Sequence, residues 1–528
     1  MSDSIFEQFR KASSAYPNNL ALRFEKKTYS YRKLETNIYC CIEKLSGLNI
    51  KRGDVITVSL PNCPISVHLF YAINALGAIS YNIHPLTKPN QLYSMMRQAK
   101  SRILFTLSLN REEFEKEKPN GITLILVNPY YRENLLKYQV VRKRGGKPKS
   151  AIRYENLPKA KNYILNHPEE KEDAVYLNTG GTNGDPKIVR LSNESVNYLA
   201  IQGYPLINKK REDIKILTAI PLFHGFGLGM GVHTPLSSGL STVLMLKFNT
   251  KEAISHIRKG NATVILGVPA LYNALLSKKS FYGPFLKKQI IAYIGGDNVP
   301  QSLLERWNTA MKENGSDARL FEGYGLTETV TCCTVNTLDR RNRKGSIGHP
   351  LPGIEIRIVD PDTRKELRPN ETGEILISGP TLMNGYLNEE NLTREVLIDR
   401  DGKTYLSTKD MGYLDEDGYL YFRQRMRRIV KVNGESLCPS DVENLISRIP
   451  DIYEAYCYGE KDDMKGHHFR LAVSRKEGTL KTDEEIKKEI LDLIASSLPP
   501  SYLPKEIDLY EKLPHTPVGK IDTSKFPS

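Results

Sequence analysis

The sequence predicts an α/β fold, with helices layered on largely parallel sheet. Three observations carry this. Short apolar runs at 174–177, 215–219, 242–246 and 263–267 alternate with longer amphipathic stretches such as 251–259 and 269–277, the pattern of strand–helix units. The 528 residues give room for three or four units, or one large and one small, and no repeat with a period of about 20–50 residues interrupts them. After about Gly345 the texture shifts to alternating runs at 354–360, 373–378 and 419–423, which read as antiparallel strands.

Each element has a local reason. Residues 4–16 carry apolar side chains at helical spacing. The stretches 19–24 and 27–30 read as a hairpin leading into a helix from Tyr31. No charge occurs between Asp54 and Lys88. Pro61, Asn62, Pro64, Ser66, His68, Asn74, Ser80 and Asn82 are too polar and too broken for a membrane span, so a strand at 55–60 and a buried helix from Pro64 are expected. Asp415-Glu416-Asp417-Gly418 between 411–414 and 419–422 signals a hairpin. A charged, apolar-poor stretch at 424–428 separates a unit 1–424 from a unit 429–528. In the second unit, Ser440 and Glu443 fit a capping box that opens a helix.

Composition narrows the class. With 40% hydrophobic and 26% charged residues, disordered, fibrous and coreless classes are excluded. Seven cysteines, four of them in the pairs Cys40–Cys41 and Cys332–Cys333, show no C-x-x-C. Neither a disulfide scaffold nor a zinc site is supported, and reduced thiols in a cytoplasmic setting are expected. The opening Met-Ser-Asp-Ser-Ile-Phe-Glu has no signal-peptide pattern. Of the net charge of +14, seven basic residues and no acid fall within 137–153. That stretch suits a nucleic-acid or membrane surface, or a solvated insertion loop. Gly145, Gly146 and Pro148 interrupt any regular face and favour the loop. No aromatic-rich RNA motif accompanies it, so no nucleic-acid partner is expected.

The strongest chemical signal is Tyr176-Leu177-Asn178-Thr179-Gly180-Gly181-Thr182-Asn183-Gly184-Asp185-Pro186-Lys187. An apolar strand runs into glycines, hydroxyls and a lysine. Glycines let successive N–H groups face one anion, and the hydroxyls and Lys187 add donors, which makes a phosphate cradle. It is not the common P-loop, because Lys187 follows Pro186 and precedes Ile188.

Here the chain resembles the adenylate-forming superfamily of acyl-CoA synthetases, peptide-synthetase adenylation domains and luciferases, and is closest in character to acid–CoA ligases. That family's loop reads T-S-G-[ST]-T-G-x-P-K-G. Gly180 stands for its Ser, Asn183 for its second Thr and Ile188 for its final Gly. Collinear with it are Pro221-Leu222-Phe223-His224-Gly225, Gly295-Gly296-Asp297, Gly323-Tyr324-Gly325-Leu326-Thr327-Glu328, Ser407-Thr408-Lys409-Asp410 (Lys409 for the Gly of T-G-D), Arg425 after Gln424, and Leu513-Pro514-His515-Thr516-Pro517-Val518-Gly519-Lys520.

The resemblance implies a large multi-sheet N-terminal domain (1–424), a hinge at 425–428 and a small mobile α+β lid domain (429–528). It implies ATP, Mg²⁺ and CoA. A carboxylic acid would attack the α-phosphate, pyrophosphate would leave, and the acyl group would pass to the thiol of CoA or of an acyl-carrier protein. Catalysis would be positioning and charge neutralisation. Lys520 would bridge carboxylate and phosphate, with Thr327 and Glu328 at the phosphates and Glu328 on Mg²⁺, a hard cation that takes oxygen ligands. In a strand Thr327 and Glu328 would point apart, so a turn is required there.

Thr179 to Gly184 with Lys187 would hold phosphates. Gly295, Gly296, Gly323, Tyr324 and Gly325 would border adenine, and Asp410 and Arg425 the ribose. His224 would border the acyl pocket. No acid lies near it, and an α-ammonium there would be costly, so an acid without an α-amino group is expected. Gly225, Gly227, Gly229 and Gly231 either leave room for an extended acyl chain or serve close packing. Arg427, Arg428 and Lys431 would meet CoA phosphates. A non-catalytic binding protein on the same scaffold is the reading from another class.

Overall fold

The computed structural model describes residues 3–179, 187–207, 209–296, 299–337, 342–428, 430–432, 435–462, 466–515 and 521–526. The first helix, Ile5–Ala15, starts where Ser4 and Glu7 cap each other reciprocally, a box that satisfies two otherwise orphaned amides. The hairpin Leu20–Phe24 and Lys27–Ser30 follows as expected, then the helix Tyr31–Ser46. The uncharged stretch becomes the strand Val55–Ser59 and the helix Pro64–Ala75, every residue of which is buried. Charge is missing there because no face meets water. Among the described residues no helix is long and apolar enough to cross a membrane.

Two large sheets form the first layers. One has nine strands in the order His349–Pro350, Thr334–Val335, Leu320–Tyr324, Ile291–Ile294, Val264–Gly267, Lys215–Thr218, Ser241–Leu244, Leu20–Phe24 and Lys27–Ser30. Its middle is parallel, from Leu320–Tyr324 to Leu20–Phe24. The other has eight: Gly385–Tyr386, Ile188–Ser192, Asp173–Asn178, Ile79–Asn82, Val55–Ser59, Ile103–Leu107, Thr123–Val127 and Ile152–Arg153. A third, antiparallel sheet contains Glu355–Val359, Gly373–Ser378, Lys403–Leu414, Leu397–Arg400 and Leu420–Arg425.

The C-terminal sheet is separate. Val430–Val432, Glu435–Leu437, Gly466–Arg475, Ile452–Asp462 and Glu506–Tyr510 pack with the helices Pro439–Ile446 and Asp483–Ser497 over their own core, including Val442, Ile446, Leu471, Ile486 and Ile490. It is an α+β unit reached through the single turn Met426–Arg428. The capping box expected at Ser440 is not there. Pro439 occupies the first helical position, so the cap falls at Cys438, because proline's fixed φ and missing N–H suit that first turn. Ser440 instead donates to the Arg423 carbonyl (2.9 Å), and Glu443 accepts from Arg428 (2.6 Å) and the Cys457 amide (2.9 Å).

The basic stretch also departs in part from expectation. Its first part is a capped helix, Leu135–Arg144, with Asn134 accepting from the Lys137 amide at 3.1 Å, while 145–151 is the loop that Gly145, Gly146 and Pro148 suggest. Its continuation is pinned by one carboxylate: Glu115 accepts the amides of Lys149, Ser150 and Ala151 at 2.7–3.0 Å. Gly145 serves close approach, since a Cβ there would lie 2.6 Å from the Ser108 carbonyl oxygen.

Candidate active site

The phosphate-cradle sequence joins the antiparallel strands Asp173–Asn178 and Ile188–Ser192, with Asn178 opposite Ile188. The Thr179 amide donates to the Lys187 carbonyl at 3.0 Å. Gly180, Gly181, Thr182, Asn183 and Gly184 lie outside the described residues, as does Lys520. On the C-terminal side, His515 and Ile521 form an antiparallel bridge.

Lys187 is brought to Glu328 by a residue that sequence reasoning missed. The two-residue strand Gly385–Tyr386 pairs with Ile188–Ser192, placing Tyr386 opposite Val189. The Tyr386 ring centroid lies 5.1 Å from Lys187 Nζ, a cation–π distance. Its hydroxyl donates to Glu328 Oε1 at 2.8 Å. Burial, then the Glu328 charge, pushes the Tyr386 phenol far above its ordinary range, so the hydroxyl keeps its proton and stays a donor. One side chain therefore touches both a cation and a carboxylate of the site.

The turn required at Thr327–Glu328 is present. The strand Leu320–Tyr324 ends, and Thr327–Thr329 forms a single tight helical turn. The Leu326 amide donates to Thr329 Oγ1 at 3.1 Å, and the Met383 amide donates to the Glu328 carbonyl at 2.8 Å. Val330 then adopts φ 66°, ψ −60°, and the Thr331 amide returns to the Thr329 carbonyl at 2.8 Å. This is a γ-turn with positive φ at a β-branched residue, a strained conformation of the kind that clusters at functional sites.

Gly225 and Gly325 explain how that turn is accommodated. A Cβ on Gly225 would lie 1.7 Å from the Val330 carbonyl oxygen, and one on Gly325 would lie 1.9 Å from that of Thr331. On Gly227 a Cβ would meet the Pro221 carbonyl oxygen at 2.2 Å, and on Gly231 the Thr218 side chain at 2.6 Å. Of the two readings offered by the sequence, close packing holds: neighbouring atoms fill these spaces. The segment Phe226–His233 is wound as a π-helix, a rare geometry that is frequent at functional sites. His224 enters it, its Nδ1 accepting the Phe226 amide at 3.2 Å and its carbonyl the Leu228 amide at 3.0 Å.

A second group gathers at the end of the strand Leu320–Tyr324. Tyr324 donates to Asp410 Oδ2 at 2.7 Å, Arg425 Nε lies 3.5 Å from Asp410 Oδ1, and Phe422 packs 5.8 Å from the Tyr324 ring. Asp410 and Arg425 are paired residues of neighbouring strands, which fixes their proximity. Burial, then Asp410, raises the Tyr324 phenol well above its ordinary value. Lys409 stands at φ 59°, the left-handed region that glycine prefers, and its Nζ reaches Glu374 at 3.6 Å. Gly295 backs onto Gly323, whose carbonyl oxygen would lie 2.7 Å from an added Cβ, and Gly296 has φ 83°. Of these groups, Gly295 and Gly296 follow the parallel strand Ile291–Ile294 and Tyr324 ends the parallel strand Leu320–Tyr324, the carboxyl ends where open α/β sheets bind ligands; Asp410 and Arg425 come from the antiparallel sheet. Arg428 is tied to Glu443 and lies over the Tyr456 ring at 5.1 Å.

Comparisons with known proteins show the family and the fold. The family model for the AMP-binding enzyme matches residues 9–387, and that for the AMP-binding enzyme C-terminal domain matches 441–520. The long-chain-fatty-acid–CoA ligase of Bacillus subtilis (strain 168) is 29% identical over 532 residues, covering 97% of this chain and 91% of the relative. A 4-coumarate–CoA ligase of Oryza sativa subsp. japonica is 26% identical, covering 94% and 86%. The O-succinylbenzoate coenzyme A synthetase of Bacillus subtilis, solved in complex with ATP and magnesium ion, superposes with a TM-score of 0.79 at 22% identity, covering 98% of each chain. With both family models matched in order along a chain of this fold, the protein belongs to the AMP-binding enzyme family.

Proposed function

We propose that this protein is an ATP-dependent acid–CoA ligase. It activates a carboxylic acid lacking an α-amino group to the acyl-adenylate, releases pyrophosphate, and transfers the acyl group to the thiol of CoA. The observation that carries the reading is the convergence of Lys187, Tyr386 and Glu328 in one contact group. The CoA-ligase relatives support CoA as the acceptor.

In this reading Lys187 and the 179–184 loop neutralise the phosphates of ATP, as positioned donors do in phosphoryl-type transfers. Asp410 accepts from the ribose hydroxyls, with Arg425 beside it, and Tyr324 presents its ring to adenine while its hydroxyl orients Asp410. Gly295, Gly296, Gly323 and Gly325 keep the backbone close to the base. The Glu328 carboxylate suits Mg²⁺, which is held by one or two carboxylates plus substrate phosphates; bound there, the ion supplies charge neutralisation. Thr327 offers a hydroxyl to the same phosphates, and His224 lies where the acid's carboxylate enters. The lid, 429–528, turns about 425–428 and brings Lys520 to the reacting oxygens for the first step, then withdraws it for the second.

The test is ATP–pyrophosphate exchange across short, medium, long and aromatic acids, followed by thioester formation with CoA. Silence with every acid would favour the binding-protein reading. Lys520→Ala is expected to nearly abolish adenylate formation while sparing thioester formation from supplied acyl-adenylate. Equal loss in both steps would remove Lys520 from its role.

A further inference from the structure

The helix Leu135–Arg144 and the edge strand Ile152–Arg153 of the eight-stranded sheet present a face that the ligase reaction does not use. Val141 is the helix's buried residue. Turned outward are Leu135 (70% exposed), Leu136 (75%) and Val140 (50%). Leu136, Val140 and Lys143 stack at helical spacing, and so do Leu135, Gln139 and Arg142. These rows run from an aliphatic first turn into a cleft whose lining includes Arg142, Lys143, Lys147, Ile152 and Arg153, with no acid among its lining residues.

Three acids in this part of the fold are already engaged, among them Glu25, which pairs with Lys137 of the same helix. Glu115 takes three backbone amides and the Arg111 guanidinium (2.8 Å), and Glu155 accepts the Tyr138 hydroxyl (2.8 Å). Among the described residues, Lys143, Arg144, Lys147 and Lys149 form no ion pair. The face thus combines uncompensated positive charge with large aliphatic side chains standing in water. We propose that it docks the protein on an anionic lipid surface, the leucines entering the headgroup–acyl boundary and the cations meeting the headgroups. Charge alone would serve a nucleic acid equally. Exposed Leu135 and Leu136 in the first turn, with Val140 after them, favour lipid over a single-stranded nucleic acid, whose bases stack on flat aromatic rings.

Co-flotation of the full chain with vesicles tests this. Vesicles of phosphatidylcholine alone are compared with vesicles containing phosphatidylglycerol, at about 0.1 M salt and at several times that concentration, where screening is short-ranged. The expected result is flotation with the anionic vesicles only, lost at high salt. K143Q/R144Q/K147Q should weaken partitioning about a hundredfold, at about fivefold per cation. L135S/L136S, with every charge kept, should weaken it about tenfold. Unchanged melting temperature and unchanged pyrophosphate exchange show that the variants fold. The single substitutions K143Q and L136S replace any that do not. Absence of flotation by the wild-type chain overturns the proposal. So does equal flotation of the variants, or binding to an oligonucleotide without binding to vesicles.

Discussion

Replacing Tyr386 with phenylalanine removes one oxygen and keeps the ring. The lost interaction is the hydroxyl's 2.8 Å hydrogen bond to Glu328, made by a side chain only 6% exposed. Hydrogen bonds to charged groups contribute about 1.5–3 kcal/mol, so a loss felt in the transition state lowers turnover about 10- to 100-fold. The Lys187 ammonium keeps its ring face at 5.1 Å. Tyr386→Leu removes that face too, and a cation–π contact of about 0.5–2 kcal/mol adds a further factor of about 2–30. The assay is ATP–pyrophosphate exchange titrated with Mg²⁺, with thermal melts as the folding control. Tyr386→Phe should raise the Mg²⁺ concentration needed for half-maximal exchange. Because Tyr386 stays protonated, its ratio to wild type should be flat from roughly pH 6 to 9. A folded Phe variant with unchanged Mg²⁺ dependence would refute the positioning argument, and Leu behaving like Phe would remove the contribution of the ring.

Two further outcomes follow from packing and burial. Gly225→Ala sets a methyl group 1.7 Å from the Val330 carbonyl oxygen, and backbone must move. A stability loss of about 2–3 kcal/mol or more is expected, read as a lowered urea midpoint, and an unchanged midpoint would show that the turn yields freely. Glu322 is buried beside Gln301, and burial pushes its carboxyl up to about 8 from 4.5. The folded chain holds this proton while the unfolded chain releases it, so stability falls as pH rises between those values and is level outside them. Glu322→Gln should therefore match wild type below that window and exceed it above, gaining roughly 1.4 kcal/mol per pH unit crossed. Parallel melting-temperature curves for the two proteins would refute the buried-acid account.

The layered fold was legible because its strands and helices are long enough to show their periods. Pro64, Tyr31 and the 415–418 turn marked true boundaries. The site was legible as an order of motifs, but its contacts were not. Tyr386 sits 58 residues beyond Glu328 on a strand of two residues, too short to carry a pattern. Lys409 hid a glycine position whose backbone conformation survives the substitution. The basic stretch read as a loop because Gly145, Gly146 and Pro148 suggest interruption. They fall just past the helix and leave its ten residues intact. The Ser440 box failed through competition: proline one position earlier claims the helix start.

The strained turn at Val330 and the glycines pressed against it leave no side-chain volume to redistribute along that wall. An added carbon on Gly225 or Gly325 would displace the Val330 or Thr331 carbonyl, main chain that leads directly from Glu328, on Gly227 the Pro221 carbonyl and on Gly231 the Thr218 side chain, so in the proposed ligase selection for a different acid has nothing to carve there. Libraries aimed at altered acid preference should hold 225, 227, 231 and 325 constant and diversify elsewhere. Homologues that differ sharply in their acids should nonetheless share this small-residue seam.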